Sequence, residues 1–304
     1  MTKSVTVRVP ATTANCGPGF DCLGIALTHY NTFSFSLLEN SGFQVQVVGE
    51  GAKMFAPDKS NLAIESMFKV FKKYQLPLPQ GVSLKMQNNV PLARGMGSSS
   101  SAIVAGVLAG NHFANLQLSP TELLTLANEI EGHPDNVAPA LFGGVTLSYV
   151  QDGVAYSENI SCGKAFKLVV VVPEMRLETK LARSVLPDSI SMKDAIFNLS
   201  RAALFVNAIQ SGKLESLKHA LQDKLHQPYR SKLIPHMQEV FAAAEAHGAY
   251  GSAISGAGST LIAFCPIDAD HQAIGLAMKS IFTNNGIKAR YHVLDVDTQG
   301  ARII

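Results

Sequence analysis

Residues 91–110 constrain this chain most. Pro91-Leu92-Ala93-Arg94-Gly95-Met96-Gly97-Ser98-Ser99-Ser100-Ser101 runs directly into Ala102-Ile103-Val104-Ala105-Gly106-Val107-Leu108-Ala109-Gly110. The second part is apolar on every side and reads as a buried helix. The first part places two glycines around Met96 and four hydroxyls behind them, so amide N–H groups stay uncovered where that helix begins. Those N–H groups and the positive end of the helix dipole form a socket for an anion such as a nucleotide phosphate. Serine hydroxyls can donate to phosphate oxygens or ligate magnesium. No lysine follows the glycines, which excludes the Walker pattern. On these residues alone a second reading stays open, a glycine turn whose serine caps the helix.

The rest of the pattern is an irregular alternation of strands and helices. Residues 1–9 alternate like a strand, 10–24 read as a glycine-rich loop, and 29–38 and 43–50 suggest a pair of strands. A helix capped at Ser60-Asn61 reaches Tyr74, and a short strand covers 82–86. Ser119-Pro120 opens a helix that Gly132-His133-Pro134 must end near Glu131. A short helix over 136–141 and a strand over 145–149 close the first half. In the second half the β-branched run 167–172 reads as a buried strand. Helices are expected over 192–210, 214–225, 233–246 and 271–284, and strands over 249–254, 260–265 and 289–295. This order favours an α+β fold of two sandwiches, residues 1–160 and 161–304, over a doubly wound parallel sheet.

Composition excludes several classes. A 47% apolar and 16% charged chain of 304 residues can bury a large core. A net charge of +2 without a basic cluster gives no footprint for nucleic acid. No stretch approaches the ~20 apolar residues that span a bilayer, and residues 1–9 lack a signal-peptide core. Cys16, Cys22, Cys162 and Cys265 show no metal spacing and read as buried or partly buried free thiols of a cytoplasmic protein.

Four further polar groups stand out. Asn15 and Asp21 sit among small residues in Ala14-Asn15-Cys16-Gly17-Pro18-Gly19-Phe20-Asp21, where a ligand can come close to the backbone, although both can equally satisfy a turn. Glu131-Gly132-His133-Pro134-Asp135-Asn136 puts a carboxylate at the negative pole of a helix, where a cation would compensate it; a solvated helix end is the alternative. Arg183 and Arg230 lie in loop-like segments. Guanidinium groups bind carboxylates bidentately, but a lone arginine is usually a solvated surface residue. Ser255-Gly256-Ala257-Gly258-Ser259 is a second glycine loop, suited to a ligand, to the first loop or to a tight hairpin.

Taken together, these stretches resemble the GHMP kinases. Residues 91–102 look like their phosphate loop, with Met96 where leucine is more usual, and 255–259 look like their C-terminal glycine motif. The wording of 14–21 and of 133–144 is similar to the homoserine-phosphorylating branch of that family. The resemblance implies an N-terminal α+β domain with a left-handed crossover and a ferredoxin-like C-terminal domain, with the ligands in the cleft between them. It implies ATP- and Mg2+-dependent transfer to the side-chain hydroxyl of L-homoserine in threonine biosynthesis. Nucleotide contacts would come from Pro91 to Ser101, Gly256 and Gly258, with Asn61 near the adenine. Ser98 or Ser99 would hold the metal with Glu131. Asn15, Asp21, His133, Asp135 and Asn136 would surround the substrate, and Arg183 and Arg230 would clamp its carboxylate. Asn136 stands where other branches place an aspartate base. Catalysis is therefore expected from alignment, with Thr179 or Asn15 orienting the hydroxyl and Asp135 as the one candidate base. The alternatives are a mevalonate- or L-threonine-type kinase and a non-catalytic nucleotide sensor of the same fold. The family also implies a homodimer.

Overall fold

The computed structural model describes residues 4–304; residues 1–3 of the alternating N-terminal segment lie outside them. The first half comprises β1 (Ser4–Asn15), β2 (Gly19–Leu37), β3 (Gly42–Gly49), α1 (Leu62–Lys73), β4 (Gly81–Asn88), α2 (Ser98–Ala114), α3 (Pro120–Glu131), α4 (Pro134–Phe142), β5 (Val145–Gln151) and β6 (Val154–Asn159). The second half comprises β7 (Phe166–Pro173), α5 (Thr179–Ser184), α6 (Met192–Ser211), α7 (Leu217–Ala220), α8 (Gln227–Arg230), α9 (Met237–Ala246), β8 (Gly251–Ile254), β9 (Leu261–Pro266), α10 (His271–Asn284), β10 (Ala289–Leu294) and β11 (Arg302–Ile303).

Two sheets organise these elements. Seven strands form the first, with the path β11-β1-β2-β4-β3 and with β5 and β6 continuing from the far end of β2. Four strands in the order β10-β7-β9-β8 form the second. Val5, Val7, Val9, Phe33 and Phe35 fill a core between the first sheet and helices α1 to α4. A bulge then shifts the β1–β2 register between Pro10 and Ala11, from Tyr30 to Leu27. Beyond it Ala11, Ile25 and Leu27 enter a different core, shared with Leu168, Val170 and Phe264 of the second sheet. Val169 and Val171 face a third core beneath α9 and α10. Burial on both faces explains why 167–172 reads as an uninterrupted β-branched run.

Several local expectations need correction. Most of 10–24 is strand: β1 and β2 run on to a tight tip at residues 16–18, because their small residues lie buried against neighbouring backbone. The 43–50 strand pairs in parallel with β4 instead of with β2, and α1 makes the crossover. The expected helix over 214–225 breaks after Ala220, since Asp223 accepts from the amides of Leu225, His226 and Gln227 and starts α8. Pro235 and His236, the latter at φ 60°, delay the next helix to Met237. β6 was not expected: exposed polar residues alternate poorly over 154–159, and only pairing with β5 defines it. The chain end also leaves the second half, since Leu27 bridges Val296 and β11 pairs with β1. All four cysteines are free thiols, and Cys162 is exposed.

The apolar helix α2 packs on α1 at very short range. A Cβ on Gly106 would lie 2.2 Å from the carbonyl oxygen of Ala63. Alanine normally favours a helix by about 1 kcal/mol over glycine, but here it must push two helices apart. Gly106→Ala is therefore expected to destabilise the fold by about 1–3 kcal/mol in urea unfolding. A stabilised variant would show that α1 can shift without loss.

Candidate active site

The tip of the β1–β2 hairpin, the glycine–serine loop and the second glycine loop meet at one point and are tied by backbone hydrogen bonds. Thr12 N–H donates to Met96 O, Gly256 N–H to Ala14 O, Thr260 N–H to Arg94 O and Leu177 N–H to Ala93 O. Ser255 Oγ adds a bond to Gly95 O, 2.6 Å. The second glycine loop thus packs on the first while Gly256 and Ala257 line a cleft of about 400 Å³. Gly258 does not line it; its α-carbon faces Ile234, Ile254 and Leu177.

At the phosphate end, Gly97 is the N-cap of α2, at φ 69° and with no side-chain cap bond. A Cβ there would meet Thr12 Oγ1 at 2.0 Å, so only glycine fits. The serine-cap reading is thereby overturned: the first turn carries no acidic residue and its amides stay available. Pro91 to Ser100 line the cleft. Ser101 does not; it is fully buried, donates to Ser98 O at 2.8 Å and accepts from Asn31 Nδ2 at 2.9 Å. Ser99 Oγ and Ser100 Oγ donate to Glu131 Oε1 at 3.0 and 2.9 Å. The Arg94 side chain is occupied by the carbonyls of Pro173 and Leu92. Further along the cleft Asn61 caps α1 through Ala63 N–H and donates to Ala56 O. Met54, Phe55, Leu62 and Met86 form an apolar wall beside it that has no sequence signature, because four scattered apolar residues resemble ordinary core.

The opposite end gathers charge. Arg183 and Asp21 form a bidentate pair at 2.9 and 2.7 Å, and that bond holds the guanidinium pKa above its usual value. Arg230 is 1% exposed. Burial, followed by the positive charge of Arg183, lowers its pKa to about 10, which leaves it protonated at neutral pH. His133 Nδ1 meets Asp135 Oδ1 at 2.5 Å. Burial opposes charge on His133, but this bond and the charges of Asp135 and Glu131 together raise its pKa. Asn136 Oδ1 accepts from Thr12 Oγ1 at 2.8 Å, and its Nδ2 donates to Asp135. Thr12 was missed by the sequence reading, which passed over it as one small residue among several. Asn15, at φ 68°, uses both side-chain atoms to tie Gly256 O to Asp21 N–H. Thr179 opens α5 at the cleft rim. Except for Ser101 and Gly258, every expected site residue therefore lines one cleft.

A cleft with an uncapped helix terminus at one end and paired charges at the other, set between two α+β units, is the arrangement of a small-molecule kinase. The family model for the GHMP kinases N terminal domain matches residues 61–144, and that for GHMP kinases C terminal matches residues 205–284. The chain belongs to the GHMP kinase family. Within it, the homoserine kinase of Desulfitobacterium hafniense is 43% identical, covering 99% of this chain and 100% of that protein. The homoserine kinase of Trichormus variabilis is 46% identical over 98% of each chain. The crystal structure of homoserine kinase from Cytophaga hutchinsonii superposes with a TM-score of 0.90, at 29% identity, covering 100% of this chain and 98% of that one.

The His133–Asp135 pair makes stability depend on pH with a definite sign. A histidine whose pKa is higher folded than unfolded contributes fully below the unfolded value of ~6.5 and loses that contribution as pH rises through the folded value. Removing the partner with Asp135→Asn is expected to flatten this dependence. Unfolding midpoints of both proteins across that window check it, and equal slopes would place the raised proton affinity elsewhere.

Proposed function

We propose that this protein transfers the γ-phosphoryl group of ATP to the side-chain hydroxyl of L-homoserine. The Asp21–Arg183 pair, in the same cleft as the phosphate socket, carries the reading. In the free protein each charge neutralises the other. The zwitterion of an amino acid can take both places at once, its ammonium against Asp21 and its carboxylate against Arg183. A hydroxy acid such as mevalonate would claim Arg183 and leave Asp21 without a cation, so the pair selects against carboxylate-only ligands. Full-length relatives named homoserine kinase support the same substrate.

Magnesium fits the donor set at Glu131. Its carboxylate and the hydroxyls of Ser99 and Ser100 are hard oxygen ligands, and among the described residues the cleft lining holds one histidine and no thiol. Glu131 and Ser99 would hold the ion; Ser98 Oγ makes no hydrogen bond to Glu131. Bound there, the metal would neutralise phosphate charge. The chain's own contribution is position and charge. The α2 amides receive the phosphates, Asn61 and the apolar wall beside Met86 receive the base, and Arg230 and Arg183 fix the substrate carboxylate. Thr179 and the Asn136 amide, held by Thr12, lie on the cleft wall to orient the hydroxyl. Asp135 is already hydrogen-bonded to His133, which favours transfer without early deprotonation through a loose transition state. The same reading places the reaction in threonine biosynthesis, in a cytoplasmic protein of two domains divided near residue 160.

ADP release with ATP, Mg2+ and L-homoserine is the direct test; no turnover above the water background would reject the function. Arg183→Lys or Arg230→Lys is expected to raise the homoserine KM through loss of about 1.5–3 kcal/mol and to leave the ATP KM in place. Parallel weakening of both ligands would move that arginine to the scaffold or the phosphates. Asp135→Asn is expected to retain substantial kcat, and near-complete loss with intact binding would establish a base.

A further inference from the structure

Buried behind the substrate end lies a histidine that the chemistry above does not use. His226 is fully buried. Its Nε2 lies 2.7 Å from Gly17 O, and its Nδ1 lies 3.3 Å from Arg230 Nη1. Its ring stacks on Phe20 with centroids 5.3 Å apart. The Arg183 and Arg230 guanidinium carbons lie 5.4 and 5.2 Å from the centre of the same Phe20 ring. Both polar partners of His226 have a single role. A carbonyl oxygen only accepts, so Nε2 must carry the proton. A guanidinium only donates, so Nδ1 must be bare. The ring is therefore neutral and locked in one tautomer.

We propose that His226 is a positioning residue for Arg230, holding the guanidinium by Nδ1 and anchoring itself to the tip of the β1–β2 hairpin by Nε2–H. Arg230 Nε donates to Ala182 O at 3.1 Å and Nη1 to Gly256 O at 3.1 Å. With His226 as a further acceptor for Nη1, the Nε and Nη1 donors are engaged, and Nη2 is left for a ligand in the cleft that Arg230 lines. The same imidazole links the Gly17 backbone to the arginine, so the place of Arg230 is set from the tip of the β1–β2 hairpin. Around it stand Asp223, whose Oδ2 is 3.6 Å from Nε2, then Arg230, and Asp21 at the start of β2. Protonating Nδ1 would turn an acceptor for Arg230 into a like charge. Burial, the largest influence, keeps the ring neutral against the carboxylate of Asp223.

The inference rests on the homoserine reading for its kinetic test, and a spectroscopic test is independent of it. A glutamine amide overlays Nε2 and preserves the bond to Gly17 O but not the acceptor for Arg230. An asparagine amide overlays Nδ1 and preserves that acceptor. His226→Gln is expected to raise the homoserine KM about tenfold, the loss of one charge-assisted bond, whereas His226→Asn stays within roughly threefold of wild type. Neither is expected to move the ATP KM. In an Arg230→Lys background the glutamine substitution should add little. Equal effects of the two amides, or a parallel rise in ATP KM, would overturn the proposal. In the ligand-free wild type, 15N-histidine NMR is expected to show His226 protonated at Nε2 only, from roughly pH 6 to 8, and in Arg230→Met the Nδ1 resonance is expected to shift as the bond from the guanidinium is lost while Nε2 stays protonated on Gly17 O. A protonated Nδ1 in the wild type would overturn it even if homoserine proves not to be the substrate or the variants fail to fold, and an Nδ1 resonance indifferent to the loss of Arg230 would overturn it as well.

Discussion

The structure depends on a small set of backbone hydrogen bonds where three glycine-containing loops touch. Ala93, Arg94, Gly95 and Met96 each lend a carbonyl to another segment, respectively to Leu177, Thr260, Ser255 and Thr12. The carbonyls just before α2 are therefore occupied, and its first amides have no competing side chain. An anion socket of this kind is useful only if its dipoles are already oriented before the ligand arrives, since reorienting them afterwards would consume binding energy. Bonds to the hairpin tip and to the second glycine loop supply that orientation. Close approach is possible because Gly95, Gly97 and Gly256 lack side chains where the loops cross.

The charges at the other end follow a related logic. Asp21 and Arg183 are each about one-third exposed and paired; neither is left uncompensated in the free protein. His133 and Asp135 form a second pair, with Asp135 almost fully buried. Glu131 is compensated by serine hydroxyls instead of by a basic residue, so its full charge is available to a cation. Asp21, Asp135 and Glu131 thus have three kinds of partner, and of these three only the Glu131 partner set consists of neutral oxygen donors.

Much of this was legible in the sequence where chemistry is local. The apolar helix after 101, the Ser119-Pro120 helix start and the buried strand at 167–172 all follow from short-range rules, and α3 shows the capping box. The four polar stretches were each ambiguous alone, because a turn, a cap and a ligand site use the same small residues. What sequence spacing cannot show is which stretch touches which. Ser101 belongs to the same serine run as Ser99 yet faces Asn31, because successive helical residues are about 100° apart. The apolar wall at Met54, Phe55, Leu62 and Met86 comes from three elements and has no local pattern. His226 and Arg230 carried a usable signal, an i,i+4 spacing that places them on one helical face. Pro228 between them makes the segment resemble a loop edge in the sequence, which hides that spacing.

The shared core between the two sheets limits how the cleft can move. Ala11, Ile25 and Leu27 on one side and Leu168, Val170 and Phe264 on the other are all buried together, with Phe205 and Ile209 of α6 completing the layer. Opening the halves as rigid bodies would expose these side chains to water at about 25 cal/mol for each Å² uncovered. The return of β11 to β1 and the Leu27–Val296 bridge fasten the same two halves from the chain's far end. Ligand entry must therefore rely on parts outside that core. The segment carrying Thr179 and Arg183 borders that core: Glu178, Thr179 and Lys180 are exposed, while Leu177, Ala182 and the Asp21 ion pair tie it to the site. A ligand that takes the place of both members of that pair would break the Asp21–Arg183 contact and leave the bonds of Leu177 and Ala182 to the site in place.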